Sequence, residues 1–221
     1  GQSRLFFSDA SSNGQGRLTY DHSDNHLEIY TADTESMRID SSGNVGIGVV
    51  PSAWGSLWKA SEIGLGAGFG GRTNGTQADV YENLYRDTGN AYKYKTSAAG
   101  SLYTQVVGNF IWSNAGVGTA GATATLTERM RIDASGNVGI GTSSPTSYAS
   151  NCLHLNAAST SISLRLTNST TGSTVSDGSD IEVDGSNLNI VNRESGNIAL
   201  YTSATERMRI DSGGNAGIGT S

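Results

Sequence analysis

The sequence predicts an all-β chain of short antiparallel strands and meanders, drawn out into an elongated fibre rather than packed into a ball. Three observations predict it. The stretch ERMRIDASGNVGIGT at Glu128–Thr142 recurs as ESMRIDSSGNVGIGV at Glu35–Val49 and as ERMRIDSGGNAGIGT at Glu206–Thr220. Only 35% of the 221 residues are hydrophobic, set against 30 glycines and two prolines. Apolar and polar residues also alternate along much of the chain, which is the period of a half-buried strand. The three methionines (Met37, Met130, Met208) hold the same place in the three copies. Internal repetition of this kind is read before anything else, and here it means modules that end alike: 1–50, 51–142 and 143–221.

The cassette itself reads as a hairpin. Met130-Arg131-Ile132-Asp133 alternates apolar with charged residues. Ala134-Ser135-Gly136-Asn137 is turn chemistry, because Gly and Asn tolerate positive φ and Asp133 can bond its own backbone two residues on. Val138-Gly139-Ile140-Gly141 alternates again, with Gly on the second face. Two strands around so short a turn pair antiparallel. Interior Gly weakens a strand unless another backbone must come close. One face should therefore present Met, Ile and Val to a core, and the other should be pared down for a close neighbour.

Taken in order, the first module offers strands at Arg4–Phe7, Arg17–Tyr20 and His26–Thr31, with turns at Ser23–Asn25 and Ala32–Glu35. In the second, Pro51 stands where a helix can start, and Trp54, Leu57 and Trp58 sit at i, i+3 and i+4, so Ser52–Ala60 is expected to form one or two helical turns. Ile63–Gly70 repeats the pattern of apolar residues opposite glycines. Tyr92–Lys95 alternates as a strand after the turn Asp87–Asn90, and Val106–Trp112 gives one or two strand segments. The third module offers Ser161–Thr167, Ile181–Val183, Leu188–Val191 and Ile198–Tyr201. The strands Leu27–Tyr30, Phe110–Trp112 (further upstream) and Ile198–Tyr201 before the cassettes suggest a three-stranded meander at each module end.

Composition excludes several functions. The net charge is −6 and the pI about 5.0, with no basic patch of the kind that displaces counterions from nucleic acid. No apolar run reaches the roughly 20 residues that span a bilayer, so no membrane insertion is expected. Cys152 is the only cysteine. It alternates with Leu153 and Leu155 and shares a face with His154, as an inert small side chain. The glycine runs Gly43–Gly48 and Gly64–Gly71 are followed by strand pattern and not by a helix, so they are not phosphate loops. Asp40–Asn44 lacks the further carboxylates of a calcium loop. His22 and His26 flank a turn beside Asp21 and Asp24, and across several chains such imidazoles could hold a metal. No catalytic constellation is legible and no cofactor is implied. Tyr81, Tyr85, Tyr92 and Tyr94 lie in an aromatic stretch that could stack on sugars or pack between chains.

A thin meander has one apolar face and cannot bury it alone. Identical chains around an axis would supply the missing layers. Three inward-facing sheets give a β-prism, similar to a triple-stranded β-helix, with a narrow core of Met37, Ile39, Val45, Ile47, Met130, Ile132, Val138, Ile140, Met208, Ile210 and Ile218. A single chain folded as a sandwich is the rival. The recurring Glu–Arg pairs (Glu35/Arg38, Glu128/Arg131, Glu206/Arg209) either pin register between chains or are solvated edge charges.

The cassettes E-R-M-R-I-D-[SA]-[SG]-G-N-[VA]-G-I-G-T at Glu35–Val49, Glu128–Thr142 and Glu206–Thr220, the first two followed soon by Pro51 and Pro145, resemble the shaft repeats of tailed-bacteriophage tail fibres. The departures are Ser36, Val49 and Ala216. The resemblance implies a non-enzymatic, homotrimeric, β-rich fibre, extracellular as part of a virion. It would join other virion tail proteins and serve attachment to a bacterial surface, with host cell-surface glycan as a partner. Such fibres often end in a self-cleaving intramolecular chaperone, and no stretch matches one here. The start at Gly1 and the stop within a cassette suggest a piece of something longer. A tailspike-like glycan-degrading enzyme and a bacterial surface adhesin rod are the alternatives.

Overall fold

The computed structural model describes residues 1–8, 15–147 and 151–219. Among them every helix or strand element is a strand, and they fall into two compact units, Gly1–Leu155 and Asn156–Ser221. The first unit carries one sheet of 13 strands whose spatial order follows the chain. It begins with β1 (Gln2–Phe7), β2 (Gly16–Asp21), β3 (His26–Thr31), β4 (Thr34–Ile39) and β5 (Val45–Ile47). It continues through β6 (Trp58–Ile63), β7 (Ala67–Arg72) and β8 (Gln77–Glu82). The short pair β9 (Leu84–Arg86) and β10 (Tyr92–Tyr94) stands apart. The sheet resumes with β11 (Gly100–Val106), β12 (Asn109–Ala115), β13 (Thr127–Ile132), β14 (Val138–Ile140) and β15 (Leu153–Leu155). In the second unit β16 (Ser161–Leu166), β17 (Ser179–Asp184) and β18 (Asn187–Asn192) form one sheet, and β19 (Ile198–Thr202), β20 (Thr205–Ile210) and β21 (Ala216–Ile218) another.

The cassettes are the hairpins β4–β5, β13–β14 and β20–β21, each the end of the expected three-stranded meander. One carboxylate closes each turn. Asp40 Oδ1 accepts the amides of Ser42 and Asn44, while the Asn44 side-chain amide donates to its Oδ2 at 2.9 Å. Asp133 with Asn137 and Asp211 with Asn215 repeat this bond for bond. Gly43, Gly136 and Gly214 take the positive φ that the turn requires. The sequence places these turns and the turn at Ala32–Glu35 correctly, but not the primed geometry of the two-residue turns that precede two of the cassettes. Ala32-Asp33 and Ser203-Ala204 hold both residues at positive φ, the primed geometry that matches strand twist, without the usual glycine.

A bulge recurs in every cassette between its glutamate and its methionine. Residues three apart on a regular strand point to opposite faces. The extra residue (Ser36, Arg129 or Arg207) brings Glu and Arg onto one face. There they meet as a two-pronged pair: Arg38 on Glu35 at 2.8 and 2.7 Å, Arg131 on Glu128 at 2.7 and 2.8 Å, Arg209 on Glu206 at 2.8 and 2.6 Å. These pairs lie within one chain.

The glycine face also finds its neighbour within the chain. β5 and β14 each pair in parallel with the next strand, β6 or β15, so the connection must cross over the sheet. A Cβ on Gly46 would sit 2.0 Å from the Val49 carbonyl oxygen and 2.9 Å from Pro51. On Gly139 it would meet the Thr142 oxygen at 2.7 Å and Pro145 at 3.3 Å.

Two expectations for the middle module are corrected. Ser52–Ala60 forms no helical turns. Trp58 opens β6, and Trp54 instead turns its indole N–H onto Glu62 at 3.0 Å. Ile63–Gly70 is not one strand but a hairpin with its turn at Gly64–Gly66. This module also builds what the lean composition did not foretell, an interior of its own: Trp54, Trp58, Tyr81, Leu84, Tyr94 and Leu102 are its larger members. All buried hydrophobic side chains among the described residues lie between Trp54 and Ala124. Gly70 makes room for the Tyr81 ring, and Gly100 for Leu84.

Inside that interior Glu62 is fully buried. It accepts the Ser52 amide at 2.7 Å, the Trp54 indole at 3.0 Å and Lys95 Nζ at 3.0 Å, and Lys95 is itself only 3% exposed. Removing one partner of a buried pair strands the other charge, at a cost of about 3–5 kcal/mol. Lys95→Met is therefore expected to destabilise the first unit by about 3 kcal/mol or more in urea titration. A change under about 1 kcal/mol would show that the pair does not hold the crossover loop.

Candidate functional site

Directly opposed residues on neighbouring strands share a face. The registers of the large sheet therefore place Tyr20, Leu27, Ile39, Val45, Ser61, Phe69, Val80, Tyr103, Trp112, Met130, Ile140 and Leu155 in one row. A parallel row on the same face runs Leu5, Leu18, Ile29, Met37, Ile47, Ile63. Phe69 stays 50% exposed, Ile140 43%, Val80 42% and Trp112 37%. The surface is open, with a shallow depression of about 330 Å³ beside Val80, Tyr103 and Trp112.

The second unit repeats the arrangement on smaller sheets. Ile162, Leu164, Ile181, Val183, Leu188 and Ile190 share one face of β16–β17–β18, and Leu200, Met208, Ile210 and Ile218 share one face of β19–β20–β21. Leu188 is 71% exposed and Ile218 79%. The residues expected to form a shared core (Met37, Ile39, Val45, Ile47, Met130, Ile132, Val138, Ile140, Met208, Ile210, Ile218) thus all lie on the uncovered apolar face of their own sheet.

On the opposite faces outside the middle module, polar side chains bond one another. In the first module Glu28 accepts His26 Nε2 at 2.8 Å, Tyr30 Oη at 3.0 Å and Arg38 at 2.6 Å. Arg17 stacks 3.6 Å over the Tyr30 ring. In the second unit the buried Asp180 binds Arg165 at 2.9 Å and Arg193 at 2.8 Å. These partners hold its carboxyl below the ordinary value, the Arg165 bond foremost and against the cost of burial.

The tyrosines are consumed by packing. Tyr81 and Tyr94 are buried, and Tyr85 and Tyr92 lean on the same core. Tyr81 meets Trp54 edge-on at 5.1 Å, and Arg86 lies 3.6 Å over Tyr92. The aromatic side chains open to solvent on the sheet face include Phe7, Tyr20, Phe69, Phe110 and Trp112 instead. Their alternation with polar residues was visible in the sequence, but the turn geometry that aligns them was not.

The two histidines do not face each other. His22 Nε2 bonds Ser3 Oγ at 2.9 Å, while His26 joins Asp21 and Asp24, the one metal-sized cluster among the described residues. Both His26 ring nitrogens are engaged, by Asp24 at 2.5 Å and Glu28 at 2.8 Å. A metal would have to displace a proton that two carboxylates hold, so the cluster reads as an ion-pair lock. Cys152 is half-buried, and its thiol lies 3.3 Å from the Thr146 carbonyl oxygen.

No protein-family model matches the chain, and no curated protein matches it either.

Burial disfavours the charged His26 ring, but the bonds to Glu28 and Asp24 outweigh burial and raise its pKa above 6.5. The folded state then holds the proton more tightly than the unfolded chain. The stabilisation is full below about pH 6.5 and is lost as pH rises through the raised value. Between about pH 5.5 and 8.5, the melting temperature of the protein should fall more steeply than that of His26→Gln, which lacks this titration. Equal slopes would show that the lock carries no proton-linked stability.

Proposed function

We propose that this chain is a structural, non-enzymatic segment of a viral tail fibre. Three copies assemble into a β-rich rod, outside the cell and as part of a virion, that spaces or presents the region contacting the host. Its other partners in this reading are neighbouring virion tail proteins and, through the presented tip, cell-surface glycan. The observation that carries the proposal is the uncovered apolar face, which continues from strand to strand while the reverse face is closed by ion pairs, crossovers and the aromatic core. Soluble monomers rarely leave contiguous apolar patches beyond a few hundred Å² in water. Burying such surface gains about 25 cal/mol per Å². Cyclic closure lets identical faces cover one another without leaving a free face. The cassette resemblance favours three copies over two. The glycan-degrading alternative needs two carboxylates opposed across a groove, whereas Glu82 is the only acid lining the depression beside Trp112.

Light scattering after gel filtration should give three times the chain mass of 22.9 kDa. Val80 is 42% exposed in the single chain, so lysine there spares the protomer fold but buries a charge in the assembly. Val80→Lys should therefore run as a single folded chain with an unchanged far-UV spectrum. A wild-type mass of one chain, or a trimer that tolerates this lysine, would overturn the proposal.

A further inference from the structure

Glu62 and Lys95 bury an acid and an amine against each other, away from water. The Glu62 side chain is wholly buried and that of Lys95 is 3% exposed, with Nζ 3.0 Å from Glu62 Oε1. The surroundings are aromatic. Trp54 donates its indole N–H to the same oxygen and stands edge-on to Tyr81 at 5.1 Å and to Tyr85 at 6.3 Å. Gly68 lies opposite Glu62 in the β6–β7 register and leaves room for the amine, since a Cβ there would sit 3.5 Å from Lys95 Nζ.

Both partners are held by their backbones. Glu62 lies within β6, paired on both sides. The Lys95 amide donates to the Asn83 carbonyl at 3.0 Å, and the buried Asn83 side chain accepts the next amide, of Thr96, at 2.8 Å. Two reactive groups fixed in contact need no bimolecular encounter to react.

An ion pair in such a place carries the cost of taking two charges out of water. Condensed to an amide, the same atoms carry no charge, and the partners of that amide already stand in position. The Ser52 amide donates to Glu62 Oε2 at 2.7 Å, and the Ala67 carbonyl oxygen accepts from Lys95 Nζ at 3.2 Å. A carbonyl oxygen has a second lone pair, which the Trp54 indole can use. Cys152 is the sole cysteine, so no intrachain disulfide can do the work of a staple.

We propose that Glu62 and Lys95 condense to an intramolecular isopeptide bond that ties β6 to the segment following β10. Lys95 passes one proton to Glu62 Oε1, leaving a neutral amine beside a neutral acid. The Nζ lone pair attacks Cδ, and the Ser52 N–H meets the charge that develops on Oε2. A second Nζ proton moves to Oε1, the Cδ–Oε1 bond breaks and one water departs. The nitrogen keeps one hydrogen, which faces the Ala67 carbonyl. The step is a dehydration and takes no oxidant or further reactant. It stands whether or not copies of the chain assemble.

Mass spectrometry of the purified full chain, unfolded in urea, tests the proposal. The expected mass lies one water below that of the sequence, and Lys95→Arg should restore the full value. Reductive methylation in urea should label Lys59 and Lys93 and leave Lys95 unlabelled. Protease digestion should give one branched peptide joined through Glu62 and Lys95. These readings come from the unfolded chain, and the wild-type protein alone supplies the branched peptide, so a folding defect in the variant does not blur them. A full sequence mass with Lys95 methylated would show that the pair stays ionic and would defeat the proposal. So would a deficit of one water that persists in Lys95→Arg.

Discussion

The carboxylate that closes each cassette turn sets the phase of everything around it. Slipping a strand by one residue would send its whole apolar set to the other face. Asp40, Asp133 and Asp211 prevent that by gripping the amides of the residues two and four further on, across the turn. The side-chain bond to Asn137 leads a set of turn bonds that hold Asp133 below the ordinary carboxylate pKa, and Asn215 does the same for Asp211. The bulge one strand earlier performs the matching task on the far side. It turns Glu and Arg to the polar face and leaves Met and Ile on the apolar one.

With the phase fixed, the two faces are treated differently. The polar face is closed locally, by two-pronged Glu–Arg pairs, by crossover loops laid over Gly46 and Gly139, and in the middle module by an aromatic core around the Glu62–Lys95 pair. Every one of these devices takes up side chains and loops on one side of the sheet. Among the described residues of the first unit nothing covers Phe69, Val80, Trp112 or Ile140. The middle module makes an interior of its own because it carries most of the large aromatic residues.

Much of this was legible in the sequence because the cassette states its own geometry. Asp, Gly and Asn at fixed offsets spell the turn, and alternate Gly states that a backbone passes close by. What the residues did not reveal is which backbone. The neighbour is the chain's own crossover, since Pro51 and Pro145 bring the loop down onto the sheet. The bulge was also hidden, because a glutamate and an arginine three apart read as partners only when one residue between them is left out of register. The i, i+3, i+4 spacing of Trp54, Leu57 and Trp58 mimicked a helix, but the buried carboxylate of Glu62 on β6 claimed Trp54. The tyrosines looked available for a ligand because period alone cannot tell which face a second layer will cover.

The central claim is that the apolar face is covered in solution by other copies of the chain. The three tryptophans read this directly, since Trp54 and Trp58 are buried within the protomer and Trp112 stands on the face in question. Iodide quenching of tryptophan emission, compared with Trp112→Phe, separates the contribution of Trp112. The account predicts that Trp112 is as inaccessible to iodide as the two core indoles in the assembled protein. A Trp112 emission freely quenched at every protein concentration would contradict it.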